Sequence, residues 1–163
     1  MTAPRLRHSV RALLLDETER VLLCRFAITH PIGGLWAAPG GGIEAGESLE
    51  QALRRELREE VGLTLDVPAP HVWHQRVVAE GHAPGYDGVV NDYFLVRTTG
   101  FVPRGALDDD ALRAEGIHSF RWWSQQELLG YDSEELFSPR ALPALLRELL
   151  GDGVPAEPRV IGI

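Results

Sequence analysis

The sequence predicts a single-domain α/β (α+β) fold, a mixed β-sheet with helices packed against it. Three observations lead there. Short apolar runs are separated by turn-forming stretches, two later segments switch to a helical period, and 163 residues are enough for one core. Val10–Leu15 and Val21–Arg25 are rich in Leu and Val and flank the polar stretch DETER, so they read as a hairpin with Asp16 and Glu17 in its connection. His30–Gly46 holds six glycines and two prolines, which reads as loop around a short strand at Leu35–Ala38. Ser48–Val61 is built of strong helix formers, opens on a Ser48/Gln51 capping box and stops at Gly62. Val72–Ala79, Asp92–Thr98 and Phe120–Trp123 read as further strands, the last preceded by an acidic loop at Asp108–Asp110. A final helix has its N-cap at Ser138-Pro139 or begins as late as Pro143. Its Leu142, Leu145, Leu146, Leu149 and Leu150 follow a 3.6-residue period, and Gly151 ends it. The domain is expected to span 1–152, with a C-terminal tail, 153–163, that is either loose or a late strand.

Composition narrows the function. There are 16 basic residues, all arginine, against 24 acidic ones, for a net charge of −8. An acidic chain is a poor binder of duplex nucleic acid, which needs a basic surface. Small phosphorylated ligands stay open, because a bound cation reverses the local sign. One cysteine, Cys24, excludes a disulfide framework and suits a reducing, cytoplasmic compartment. The N-terminal stretch has no apolar run long enough for a signal peptide or a membrane span. The acid is uneven: residues 41–63 carry −3 and residues 105–163 carry −6, while residues 1–40 carry +2.

The segment Ser48–Val61 breaks its own pattern. At about 100° per residue, Leu49, Ala52, Leu53, Leu57 and Val61 share one apolar arc, with Gln51, Arg54, Arg55 and Arg58 opposite. Glu56 and Glu60 fall inside that arc, and Glu59 at its edge. A carboxylate facing a core is costly unless something offsets it. The bland explanation is a solvated Glu/Arg helix whose arc is drawn too wide. The sharper one is that the three carboxylates converge on divalent cations. Oxygen ligands at this spacing suit a hard ion such as Mg²⁺ or Mn²⁺, which bridges to phosphate oxygens.

Residues 41–63, GGIEAGESLEQALRRELREEVGL, resemble the Nudix box: G, five residues, E, seven residues, then R-E-apolar-x-E-E-x-G-apolar. Gly41, Glu47, Arg55, Glu56, Leu57, Glu59, Glu60, Gly62 and Leu63 all match, and the preceding LWAAPG also resembles the family's approach to the box. The resemblance implies an α/β/α sandwich around a mixed sheet and Mg²⁺-dependent hydrolysis of nucleoside diphosphate derivatives. It also implies metal ligation by Glu56, Glu60 and Glu59, one of them also serving as general base, with a backbone carbonyl from Gly40 or Gly41. Arg55 would orient the carboxylates or contact phosphate, and Glu47 would be structural. In some members a further carboxylate comes from the loop before the last core strand, a place taken here by Glu115, for which a plain loop acid is an equal alternative.

Outside the box the signals are weaker. Arg7, Arg11 and Arg25 sit on or beside the first two strands, where they can meet phosphates bidentately, although surface arginines are the commoner case. Trp36, Trp73, Tyr86, Tyr93, Trp122 and Trp123 offer faces for a base, against the commoner use as core aromatics. His71, His74 and His82 have no HExxH spacing and read as loop and strand histidines. The subgroup-specific residues expected downstream of the box are missing at their usual spacing, Pro84 and Tyr86 lying beyond it, so the substrate is not readable. A nucleoside triphosphate and a nucleotide-sugar type diphosphate both stay open, and a homodimer is not excluded. A non-catalytic nucleotide-binding module is the alternative function; an acidic adaptor would explain the C-terminal charge but not the box.

Overall fold

A computed structural model describes residues 2–28 and 33–163; the part of the glycine-rich stretch at 30–32 lies outside the described residues. The hairpin forms from β1 (Leu6–Leu15) and β2 (Val21–Ile28), closed by Asp16, whose carboxylate accepts from the Thr18 and Arg20 backbone N–H groups. β3 (Gly33–Ala37) pairs with β2, and β4 (Gly40–Gly42) with β1. Helix α1 (Leu49–Glu60) follows, then β5 (His71–Val78) and β6 (Gly88–Arg97). The order continues with α2 (Asp109–Ala114), β7 (Ile117–Trp123), α3 (Gln125–Leu129), β8 (Leu136–Ser138), α4 (Leu142–Asp152) and β9 (Arg159–Ile161).

The nine strands among the described residues join one mixed sheet in the order β8-β3-β2-β1-β6-β5-β9, with β4 added to β1 and β7 to β2. The register pair between β1 and β2 lies at the hairpin, Leu15↔Val21. Away from the turn β1 takes β4 as its antiparallel neighbour at Ser9–Arg11, and β2 pairs with β7 from Val21 to Phe26. The sheet therefore splits where β1 and β2 part. Strand alternation then gives β1 two buried faces. Val10, Ala12 and Leu14 pack with Leu53, Leu57 and Val61 on the α1 side, while Leu13 and Leu15 pack with Leu142, Leu146 and Leu149 on the α4 side.

Three expectations need correction, and the tail takes the late-strand alternative. The acidic stretch Asp108–Asp110 is the start of α2: Asp108 caps it by accepting from the Ala111 N–H, and Asp109 and Asp110 favour its positive N-terminal end. Ser138 ends β8 instead of capping a helix, and α4 begins at Leu142, with Pro143 in its first turn where no N–H is needed. Gly151 stays inside α4, and Gly153, at φ 80°, terminates it. Residues 159–161 of the tail pair in parallel with β5, as Trp73↔Arg159 to Gln75↔Ile161.

Candidate metal-dependent active site

Helix α1 forms as its sequence dictates. The Ser48 hydroxyl accepts from the Gln51 N–H and the Gln51 side chain accepts from the Ser48 N–H. At the other end Gly62, at φ 78°, turns the chain so closely against the Arg104 carbonyl that a side chain would collide with it. Segment 104–107 then satisfies the open carbonyls of the last turn. The N–H groups of Arg104, Ala106 and Leu107 donate to Val61, Arg58 and Glu59 at 3.1, 3.0 and 2.9 Å. That docking leads directly into α2, whose C-terminal cap is Glu115.

The result is a convergence from distant parts of the chain. Glu56 and Glu60 are buried, 6% and 1% exposed, and their carboxylates lie with that of exposed Glu115 so that one oxygen of each falls within 4.8 Å of the others. Burial pushes the Glu60 carboxyl up to about 9, helped by the neighbouring Glu56 charge and only partly opposed by Arg11 and the Gly40 N–H. Glu56 is raised as well, again chiefly by burial, against the opposing pull of Arg55. Its Oε2 is buried without a hydrogen-bond partner among the described residues. Three carboxylates this close, two of them buried and one with an orphaned oxygen, form an acceptor set that suits a hard divalent cation. The backbone fits as well: a Cβ at Gly41 would sit 2.5 Å from Glu56 Oε1, so glycine keeps the approach open.

Arg55 organises the rim. Its Nε and Nη2 grip both Glu47 oxygens at 2.7 and 2.9 Å, Nη2 also donates to the Gly42 carbonyl, and Nη1 donates to Glu56 Oε1 at 2.9 Å. The bidentate grip holds the Glu47 carboxyl down at about 2. Glu59 is half-buried and bonded to Arg55 Nη1 at 3.4 Å, outside the three-carboxylate set. The Gly40 N–H donates to Glu60 Oε2 at 3.1 Å, and its carbonyl accepts from Arg11 Nη1 at 3.4 Å.

Arg11 also lines an adjoining cleft of about 290 Å³ with Arg7, Ser9, Gln75, Asn91 and Tyr93, so two of the expected arginines flank it. Arg25 is instead held by Glu135 at 2.7 Å and does not line the cleft. Trp36 is corrected more fully. Leu35 and Ala37 face the cleft, so alternation turns Trp36 the other way, edge-on to Trp123 at 5.1 Å and 7% exposed, where no base can stack without opening the core. Ser9, Gln75 and Asn91 were not singled out from sequence. Their only signal was polar residues at inward positions of β1, β5 and β6, visible once the strand phase is known.

Comparison with known proteins agrees with this geometry. The NUDIX domain family model matches residues 5–145. A nucleoside triphosphatase NudI from Salmonella newport strain SL254 is 32% identical over 122 residues, covering 73% of this chain and 83% of the relative. One from Enterobacter sp. strain 638 is 49% identical over 61 residues, 37% of this chain and 43% of the relative. Among solved structures, the MutT protein from Methanosarcina mazei Go1 superposes with a TM-score of 0.66 at 20% identity, covering 93% of this chain and 98% of that one. The NUDIX domain of Shewanella oneidensis NrtR, complexed with ADP ribose, gives 0.64 at 22% identity, covering 92% and 90%. The chain belongs to the NUDIX family of pyrophosphohydrolases.

Proposed function

We propose that this protein hydrolyses a nucleoside triphosphate at its diphosphate linkage, with Mg²⁺, or Mn²⁺ in its place, held by Glu56, Glu60 and Glu115 and by the Gly40 carbonyl. The observation that carries the reading is the buried pair Glu56–Glu60, with Glu56 Oε2 unpartnered among the described residues, next to a cleft flanked by Arg7 and Arg11. The triphosphate, in preference to a nucleotide-sugar type diphosphate, rests on the NudI relatives' names. When bound, the cation neutralises the diphosphate and lowers the pKa of a coordinated water. The chain's own groups do the rest. Arg7 and Arg11 bind and orient phosphate oxygens, a task arginine performs with two parallel N–H groups. Arg55 holds Glu56 and the Gly42 turn in place, with Glu47 fixing the guanidinium. Glu59, tied to Arg55 by a long bond of 3.4 Å, accepts the proton of the attacking water.

The test is a panel of nucleoside and deoxynucleoside triphosphates, ADP-ribose and dinucleoside polyphosphates with Mg²⁺ in ¹⁸O-water, with products read by ³¹P NMR. The expected result is turnover of a triphosphate to monophosphate and pyrophosphate, with label in one of them. Tight binding of a nucleotide with no turnover of any would replace this reading with a non-catalytic binding module.

A further inference from the structure

A second constellation lies apart from the carboxylate cluster and has no part in the proposed hydrolysis. Asp92, on β6, is 2% exposed, and three histidines converge on it. His8 Nε2 lies 2.5 Å from its Oδ2, while His71 Nε2 and His74 Nδ1 lie 2.8 and 2.6 Å from Oδ1. Three adjacent strands make this possible. His74 stands directly opposite Asp92 in the antiparallel β5–β6 pair. His8 comes from β1 on the other side, two residues from Val10, the β1 partner of Asp92.

His71 is the informative member. Three residues from His74, it would point to the opposite face of a regular strand. A register shift between His71 and Trp73 brings it to the same face, where it stacks on Phe94 at 4.8 Å between ring centroids. Bulges re-aim side chains in this way. The irregularity in β5 therefore delivers the second imidazole to the carboxylate.

We propose that His71, His74 and Asp92 are a second metal site, for a borderline divalent ion of the Zn²⁺ type, with His8 as a positioning residue. One ring nitrogen of each of the two histidines and one Asp92 oxygen lie within 4.8 Å of one another. Two imidazoles and a carboxylate select a transition ion over Mg²⁺, which prefers oxygen donors alone. Zinc bonds of about 2.0–2.2 Å at tetrahedral angles set nitrogen and oxygen roughly 3.3 Å apart, so each imidazole swings outward by about half an ångström. Both rings are part-exposed and free to do so, which also leaves a fourth position to water. His8 stays on Oδ2 and fixes the carboxylate, as outer partners of metal ligands do.

The test uses the full chain with Glu56→Gln and Glu60→Gln, so that the acidic cluster holds no zinc. Chelator-stripped protein is equilibrated with Zn²⁺ against a competing chelator, and bound zinc is measured after gel filtration. About one zinc per chain is expected. Adding His71→Gln and His74→Gln should weaken binding by at least about 100-fold. His8→Gln alone should weaken it by about 10–100-fold, with circular dichroism and the metal-free melting temperature unchanged. Co²⁺ reads ligation without touching a histidine: intense visible bands of four- or five-coordinate nitrogen ligation are expected. No zinc bound by the Glu-substituted protein, zinc retained after both histidines are replaced, or only the pale spectrum of six-coordinate Co²⁺ would each overturn the proposal.

Discussion

Glu60 and Asp92 are buried to nearly the same depth, and burial pushes both carboxyls toward the neutral form, yet they end on opposite sides of their ordinary values. Glu60 rises to about 9, because the neighbouring Glu56 carboxylate adds to the effect of burial while Arg11 and the Gly40 N–H oppose it only in part. Asp92 is lowered, because hydrogen bonds and charge from His74, His8 and His71 outweigh its desolvation. The chain supplies the partners of one carboxylate and withholds those of the other. A buried acid left short of donors marks a place where positive charge arrives from outside.

The contrast has a sign that can be checked. Glu60 is neutral in the metal-free folded state up to about pH 9 but ionises near 4.5 when unfolded. The folded state binds the extra proton, so this group's contribution to stability falls as pH rises across that window. Asp92 and Glu47 are lowered, so their contributions are present above the ordinary carboxylate range and lost as pH falls through their folded values.

Glu60→Gln should have the largest effect, about a 10³-fold loss of kcat, or roughly 4 kcal/mol of transition-state stabilisation. The metal-free melting temperature should be unchanged or higher and its decline toward pH 9 flatter, as read by steady-state rates and thermal scans. Asp92→Asn should do the reverse, costing about 1–3 kcal/mol in urea unfolding while kcat stays within a few-fold. Arg55→Lys cannot grip Glu47 through two N–H groups, and about a tenfold fall in kcat is expected, about 1.4 kcal/mol. Ser48→Ala removes the cap of α1, the helix that carries Glu56 and Glu60, and should cost about 1 kcal/mol, with no change in the pH profile.

What sequence could reveal follows the range of the interactions. In α1 every determinant is local: the cap, the glycine stop and the 3.6 period that places Glu56 and Glu60 among Leu53, Leu57 and Val61. Glu115 was proposed only through resemblance, because its position depends on segment 104–107 capping α1 from 40-odd residues away. β4 is three glycines, with no side-chain pattern to read; its existence is set by β1. Trp36 could be offered as a base contact because a five-residue strand that opens on two glycines gives little phase, and one residue of phase separates cleft from core. The histidine cluster was hidden twice, by a register shift that defeats period-two reading and by a third member, His8, on another strand.

The central claim is that Glu60 is buried protonated until a divalent cation takes the proton's place. Calorimetric titration with Mg²⁺ at about pH 7.5, in two buffers of different ionisation enthalpy, measures that exchange directly. Binding should release about one proton per chain, and Glu60→Gln should lose both the proton release and most of the affinity. Binding without proton release, or undiminished binding by Glu60→Gln, would contradict the account.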